Sequence, residues 1–291
     1  MELPDSVPGL TDLLRSAGYL ADRGLSTALF VGLHLHRPVL LEGEVGVGKT
    51  EVAKALATVF DRSLIRLQCY EGIDTNQALY EWDYARQLLQ IRALGERQLD
   101  DDAAVDSLFG ERFLVERPLL SAVRAGDRAV LLIDEIDRAD DEFEAFLLEL
   151  LSDFQITIPE IGTVSAANPP FVVLTSNRTR ELHDALRRRC LYHWVGYPPA
   201  EREVEIVLTR APQVAEELAR KVVAAVTELR ELDLAKPPGV AETIDWVRTL
   251  DLLGDSELDP PVLRDTLGSV VKDRDDLEIA LDNLDRIAGR G

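Results

Sequence analysis

Short apolar runs alternate with stretches of helical spacing over the first two thirds of the chain. Residues 8–35 and 49–60 place apolar side chains at helical intervals. Because short apolar strands joined by helices form parallel sheets covered on both faces, the pattern predicts an α/β fold with a five-stranded parallel sheet. The five predicted strands lie at residues 38–41, 63–68, 129–133, 171–174 and 191–195.

Two segments interrupt this alternation. Residues 69–128 form a long excursion between the second and third predicted strands, with a helical pattern from Leu79 to Leu94. Residues 154–165 alternate apolar and polar side chains around a Pro-Glu-Ile-Gly turn, which predicts a β-hairpin. We interpret the acidic clusters at 98–106 and 140–144 as solvated helix faces.

The pattern changes after residues 197–199, Tyr-Pro-Pro, beyond which only helical spacing continues. We therefore predict an α/β domain over 1–198, with inserts near 71–95 and 154–165, and an all-helical domain over 199–291. The candidate helices of the second domain lie near 200–210, 213–232, 240–254, 260–271 and 274–288.

Composition narrows the classes of function. The chain has 53 acidic and 32 basic residues and a net charge of -21, which counts against a broad nucleic-acid surface. Its two cysteines, Cys69 and Cys190, are too few for a zinc cluster or a disulfide framework, so we expect buried thiols. With no leader-like start and no apolar run long enough for a membrane span, we expect a cytoplasmic protein that does not enter a membrane.

The first predicted strand runs into a glycine-rich loop with P-loop spacing. Glycines let backbone amides turn towards phosphate oxygens, and the helix that follows directs its positive end at the same charge. Lys49 is expected to reach the β- and γ-phosphates of ATP, and Thr50 to give its hydroxyl to Mg²⁺. The predicted nucleotide-binding residues are Gly43, Glu44, Val45, Gly46, Val47, Gly48, Lys49, Thr50 and Glu51.

Polar residues also follow the third and fourth predicted strands. Asp134 and Glu135 end the third strand in a Walker B pattern, with Asp134 expected to bind Mg²⁺ and Glu135 to act as general base on the attacking water. Asn177 ends the fourth strand, where its amide can orient that water. Since ligands bind at the carboxyl ends of parallel strands, these residues and the P-loop predict one hydrolytic site.

Three consecutive arginines, Arg187, Arg188 and Arg189, precede the fifth predicted strand. One interpretation is a solvated charged face. The other is an arginine finger that reaches the γ-phosphate held by a neighbouring subunit, with Arg188 or Arg189 as the candidate.

Together these motifs resemble an AAA+ ATPase with a P-loop αβα sandwich and a C-terminal helical lid. Within that superfamily the segment 134–139, Asp-Glu-Ile-Asp-Arg-Ala, resembles the MoxR branch. Segments 70–82 and 175–194 are similar to the MoxR-type ATPases found beside carbon monoxide dehydrogenase genes. The resemblance implies a hexameric ring, a von Willebrand factor A domain partner and a client metalloenzyme. It also implies that the hairpin and the 71–95 insert face the client or partner.

One position departs from the resemblance. MoxR relatives carry a sensor 2 arginine at the start of a lid helix, and here Glu242 stands in that place. Arg248, further along the same helix, is the alternative candidate. Two other functions stay open on the sequence alone, a nucleic-acid-translocating or restriction-type motor and a nucleotide-gated scaffold with little turnover.

Overall fold

The structure, a computed structural model, describes residues 3–94, 107–255 and 257–289. The chain divides into two compact units, each made of several segments. The first comprises Met1–Leu14, Ala21–Glu42 and Val52–His193, and the second comprises Arg15–Leu20, Gly43–Glu51 and Trp194–Gly291. The P-loop thus groups with the C-terminal helices, and the predicted domain boundary at 198 stays a prediction. The acidic cluster at 98–106 lies outside the described residues.

The elements up to residue 195 alternate between strands and helices. The strands are β1 (Val39–Gly43), β2 (Ser63–Gln68), β3 (Tyr80–Trp82), β4 (Leu114–Glu116), β5 (Ala129–Asp134), β6 (Gln155–Ile158), β7 (Gly162–Ser165), β8 (Phe171–Ser176) and β9 (Leu191–Val195). The helices are α1 (Val7–Ser16), α2 (Arg23–Leu35), α3 (Lys49–Val59), α4 (Thr75–Leu79), α5 (Tyr84–Leu94), α6 (Pro118–Ala125), α7 (Asp141–Asp153) and α8 (Asp184–Arg189).

Five strands form the main sheet in the order β2-β5-β8-β1-β9, and its pairings are parallel. Every residue of β1, β5 and β8 is buried, as expected for central strands covered on both faces. The predicted five-stranded sheet is therefore confirmed. Asp134 at the end of β5 and Ser176 at the end of β8 lie at the same edge of the sheet.

The helical spacing over residues 8–35 is confirmed, with a break inside the segment. The segment forms α1 and α2, separated by residues 17–22. Gly18 adopts a left-handed conformation with φ of +73°, and Asp22 starts α2 by accepting a hydrogen bond from the amide of Leu25. A left-handed glycine after one helix and an aspartate N-cap before the next are signals for a break, and they override the continuous apolar spacing.

The helical pattern predicted from Leu79 to Leu94 is also corrected at its start. Residues 80–82 form β3, which pairs antiparallel with β4, and α5 begins only at Tyr84. The two strands are three residues each, too short for an alternation that the sequence could reveal. The hairpin predicted at 154–165 is confirmed by β6 and β7, and β7 begins at Gly162 with φ of +102°.

The C-terminal part of the second unit is helical, as predicted. Its helices are α9 (Ala200–Arg210), α10 (Glu216–Arg230), α11 (Val240–Leu253), α12 (Pro260–Thr266), α13 (Arg274–Asp282) and α14 (Leu284–Ile287). Trp246 on α11 is fully buried in their core, and its indole N–H donates to Thr266 Oγ1 at 2.9 Å. Among the described residues, no helix has both the length and the apolar character needed to cross a membrane.

Candidate functional site

The P-loop of the second unit has the backbone that phosphate binding requires. Gly46 and Gly48 have φ of +76° and +93°, a region that favours glycine. A Cβ on Gly43 would lie 2.0 Å from the carbonyl oxygen of Val195, so this position also admits only glycine. Lys49 is 6% exposed, and its ammonium donates to the carbonyl oxygens of Gly43 and Glu44 at 2.7 and 2.5 Å.

The first turn of α11 rests directly on this loop. The amides of Val240 and Ala241 donate to the carbonyl oxygen of Gly46 at 3.0 and 3.3 Å. A Cβ on Gly239 would lie 2.6 Å from the Cα of Gly46, so the two backbones touch. The amides at a helix N-terminus have no partner within the helix, and here two of them bind the P-loop.

Glu242, for which the resemblance predicts a sensor 2 arginine, lies in this turn and bonds to its N-cap residue. Its carboxylate accepts a hydrogen bond from the amide of Gly239 at 3.0 Å, which is one of the two bonds of a capping box; Gly239 has no side chain to make the other. Arg248 lies one and a half turns further along and donates to the carbonyl oxygen of Arg210 at 2.8 Å. Arg210 in turn pairs with Glu51, directly after the P-loop threonine, at 2.6 Å.

A buried ion pair supports the start of α11. Glu203 is fully buried and accepts from Arg230 at 2.7 and 2.9 Å and from Thr243 Oγ1 at 2.6 Å. Arg230 also donates to the carbonyl oxygen of Pro238 and lies 4.2 Å from the centre of the Tyr197 ring. Burial, together with the carboxylate of Glu44, raises the pKa of the Tyr197 hydroxyl. This network fixes the residues that precede Gly239.

The first unit holds the Walker B acids at the end of β5. Asp134 is 2% exposed and accepts from Thr175 Oγ1 at 2.5 Å and from Arg66 at 2.6 and 3.0 Å. Thr175 accepts in turn from the amide of Glu135 at 3.0 Å, so one hydroxyl links both acids to β8. Glu135 has a left-handed backbone with φ of +54°, and its carboxylate pairs with Arg138 at 3.0 Å.

Asp137 organises the loop that follows β8. This carboxylate is 2% exposed and accepts from the amide of Asn177 at 3.2 Å. It also accepts from the amide of Thr179 at 2.8 Å and from its hydroxyl at 2.7 Å. The structure therefore ties the predicted sensor residue Asn177 to the residue three positions after the Walker B aspartate. Neither Asp137 nor Arg66 was assigned a role from the sequence, because their partners are distant along the chain.

The prediction of a solvated acidic face at 140–144 is wrong for Glu144, which is fully buried. Its carboxylate pairs with Arg180 and accepts from the amide of His183 at 2.8 Å. Asp140 does behave as a helix-start residue, since it accepts from the amide of Phe143 at 2.9 Å. Glu144 is buried because it accepts hydrogen bonds from the chain segment between β8 and α8. The sequence pattern does not reveal these long-range contacts.

The three arginines form the last turn of α8, which ends just before β9. Arg37 donates to the carbonyl oxygens of Arg188 and Arg189 at 3.1 and 3.2 Å and so satisfies the end of this helix. Arg187 lies 5.8 Å from the ring centre of Tyr192, and Arg189 donates to Ser152 Oγ. The Arg188 side chain is exposed and has no partner among the residues that the structure describes.

Both cysteines are free and buried, as expected. Burial raises the pKa of the Cys69 thiol to about 12, assisted by the negative charges of Asp134 and Asp137. Burial likewise raises the pKa of Cys190 to about 12. Both thiols are thus protonated and unreactive at neutral pH. Within the described ranges, no group of three or more His, Cys, Asp or Glu side chains forms a metal cluster.

A parallel sheet with a P-loop after its first strand and acids after β5, which β8 separates from β1, defines a P-loop nucleotide-binding fold. A family model, the AAA domain of the dynein-related subfamily, matches residues 38–190. The match covers more than half of the chain, and the chain belongs to this family.

The chain is also similar to uncharacterized proteins and to solved structures. An uncharacterized protein of Staphylococcus epidermidis is 24% identical over 249 residues, 83% of this chain and 86% of that protein. An uncharacterized protein of Staphylococcus aureus is 28% identical over 170 residues, which cover 56% of this chain and 57% of that protein. A variant of RuvB from Thermotoga maritima is 17% identical, with a TM-score of 0.51 over 99% of this chain and 81% of that chain. At this identity the structural likeness shows the fold alone.

Proposed function

We propose that this chain is an ATP-hydrolysing remodelling ATPase of the MoxR type, which acts in the maturation of a metalloenzyme or the assembly of a protein complex. Membership of the AAA family supports the nucleotide chemistry. The observation that carries the proposal is the acidic pair Asp134 and Glu135, held at the carboxyl end of β5 in a chain that also has a P-loop.

The residues present fit ATP and Mg²⁺. Mg²⁺ prefers oxygen ligands, and the proposal assigns it the Thr50 hydroxyl and the Asp134 carboxylate. When bound, Mg²⁺ neutralises charge that develops on the phosphates. Left-handed glycines and the start of α3 suit a loop whose amides bind those phosphates, and Lys49 provides a cation that is already oriented by its own loop.

Glu135 is the proposed general base. Its left-handed backbone and the hydrogen bond from its amide to Thr175 set the direction in which its carboxylate leaves the strand. Asp137 holds the amide of Asn177 at the end of β8, the strand beside β5. The proposal gives Asn177 the task of orienting the attacking water, and Arg188 or Arg189 that of stabilising negative charge from a neighbouring subunit.

Replacement of the base tests this function. The variant Glu135→Gln keeps the shape of the side chain but cannot accept the proton, so we expect loss of turnover by about a hundredfold or more with ATP binding retained. The matched control is Glu149→Gln, the same change at an exposed position on α7. Normal hydrolysis by Glu135→Gln would refute the assignment, and equal losses in both variants would point to a folding defect.

The remodelling role itself rests on the resemblance of residues 134–139 to the MoxR branch. A ring of subunits, a von Willebrand factor A domain partner and a client metalloenzyme belong to the same proposal. Affinity purification of Glu135→Gln with ATP, compared with ADP, tests it. We expect an ATP-dependent partner with the von Willebrand factor A fold or a metalloenzyme. Recovery of the chain alone in both nucleotides would contradict this role.

A further inference from the structure

An aromatic cavity in the first unit lies outside the nucleotide chemistry. It has a volume of about 650 Å³ and is lined by Tyr70, Tyr80, Trp82 and Tyr84. The chain has only six tyrosines and three tryptophans, so one cavity collects four of these nine side chains. We call these four residues, together with Glu81 and Arg117 on the same lining, the aromatic groove.

One aromatic side chain of the groove is buried and two are exposed. Trp82 is 9% exposed and packs edge-on against Phe109, with ring centres 5.5 Å apart, and against Tyr80 at 6.1 Å. Tyr70 and Tyr84 are 46% and 62% exposed. The pairing of β3 with β4 holds Trp82 opposite Leu114. A ligand would therefore meet aromatic surface that is already ordered, which lowers the entropy lost on binding.

Two acids, Glu81 and Glu160, lie near these rings. Glu81 lies on β3 between Tyr80 and Trp82. The pKa of the Tyr80 hydroxyl is raised by burial and, next, by the carboxylate of Glu160 in the hairpin turn, which places a second acid nearby. Aromatic faces combined with carboxylates attract organic cations. The net charge of -21 adds a field that favours basic partners over acidic ones.

The groove already binds one cation from within the chain. The Arg117 guanidinium pairs with Glu81, and both side chains are about half exposed, at 44% and 53%. Because exposed ion pairs are weak, an incoming guanidinium that also contacts the aromatic rings can replace this one. Arg117 thus shows which group the groove accommodates.

Apolar surface continues from the groove along α5. Leu88 and Leu89 are 59% and 66% exposed on the same helix as Tyr84. Leu88 lies four residues after Tyr84 and so on the same face of the helix. This surface offers contact to the residues beside a bound cationic side chain, which makes a polypeptide a better fit than a small amine.

We propose that the aromatic groove binds a basic polypeptide segment, with an arginine or lysine side chain of that segment displacing Arg117 from Glu81 and lying against Tyr70, Tyr80 and Tyr84. The interaction needs neither the P-loop nor the Walker B acids. The proposed peptide binding can therefore be tested independently of the proposed ATPase activity.

Binding of defined peptides to the full chain tests the proposal. The probe is a fluorescent ten-residue peptide with three arginines spaced by glycine, serine and leucine, and the control replaces each arginine by citrulline, its neutral isostere. Because a cation over aromatic rings beside a carboxylate contributes on the order of 1–2 kcal/mol, we expect the arginine peptide to bind about tenfold more tightly at physiological salt. Equal affinity of the two peptides would overturn the proposal.

Variants separate the groove from general attraction to an acidic protein. We expect Glu81→Gln and Tyr84→Ala to weaken the arginine peptide several-fold, and Arg117→Ala to strengthen it, because it removes the internal competitor. The matched control, Asp251→Asn, removes one exposed negative charge from α11 of the second unit and should leave binding unchanged. Equal effects of Glu81→Gln and Asp251→Asn, or weaker binding by Arg117→Ala, would contradict the proposed site.

Discussion

Asp134 illustrates, at the scale of single residues, how two partners of different exposure hold a buried carboxylate. Thr175 binds one of its carboxylate oxygens and Arg66 the other. The threonine is buried with the acid, whereas the Arg66 side chain is 51% exposed. The hydroxyl therefore fixes the direction of the carboxylate, and the arginine balances its charge from a position that water can reach.

This difference leads to a prediction for Arg66→Gln. If Asp134 binds Mg²⁺, the guanidinium competes with the metal for the same oxygen. Since a half-exposed ion pair contributes roughly 0.2–1 kcal/mol, its removal should lower the Mg²⁺ concentration for half-maximal ATP hydrolysis by between about 1.4-fold and fivefold. Titration of the initial rate with Mg²⁺ at saturating ATP measures this shift.

A second arginine on the same stretch provides the control. Arg62 precedes β2, at the opposite end of the strand, and its pKa is lowered by burial, an effect that Asp127 partly offsets. Arg62→Gln removes the same charge without touching Asp134 and should leave the Mg²⁺ requirement unchanged. An increased requirement in Arg66→Gln would mean that the arginine supports the metal site.

The contact between α11 and the P-loop is the clearest case at the scale of elements. Gly239 has an extended backbone, so an alanine there would not be strained by its own φ. Its Cβ, however, would lie 2.6 Å from Gly46 Cα and 2.7 Å from Val45 O. Because both are backbone atoms, the first turn of α11 or the loop must move.

We therefore expect Gly239→Ala to weaken nucleotide binding and to destabilise the fold. Overpacking of this kind costs about 1–3 kcal/mol, and the shift also breaks the bonds from Val240 and Ala241 to Gly46. Nucleotide affinity by calorimetry and thermal unfolding, each with and without ADP, measure the two effects.

Gly268→Ala is the matched substitution in the same unit. A Cβ at Gly268 meets no atom within 4 Å, and its φ lies outside the left-handed region. Alanine there should be neutral or stabilising by about 0.4–1 kcal/mol, because it restricts the unfolded chain. If Gly239→Ala behaves like Gly268→Ala in both measurements, the contact of α11 with the P-loop has no energetic importance.

The sequence predicts elements well where a single local pattern determines them. The central strands β1, β5 and β8 are buried on both faces and therefore read as unbroken apolar runs. The strands β3 and β4 are three residues long and depend on each other across more than thirty residues of chain, so no local pattern marks them.

In the candidate site, too, contiguous motifs can be predicted from the sequence, whereas contacts between distant residues cannot. The P-loop and the Walker B acids are contiguous motifs and could be assigned directly. Asp137 and Glu144 look like ordinary surface acids in the sequence, yet both are buried because the chain near residues 177–183 returns to bind them. Glu242 was recognised as a departure, but only the structure gives its capping bond to Gly239.

At the scale of the whole molecule, the arrangement of α8 bears on assembly. A side chain that acts on a neighbouring subunit must be exposed and must have no interaction partner within its own chain. The Arg187 guanidinium lies over the ring of Tyr192, and Arg189 donates to Ser152 Oγ. The Arg188 side chain is exposed and has no partner among the described residues, so it fits the finger best.

A mixing experiment tests whether Arg188 acts between subunits. We expect Arg188→Ala alone to lose hydrolysis by about a thousandfold, the usual range for an arginine finger, and Arg189→Ala to lose much less. The Arg188→Ala subunit keeps Glu135, and the Glu135→Gln subunit keeps Arg188. An interface that combines these two retained residues has a complete site. Random mixing of these two inactive variants should therefore restore activity at about a quarter of the interfaces of a closed ring. A finger that acts within its own chain gives no rescue at any ratio, so an inactive mixture that still assembles with ATP would rule out a shared site.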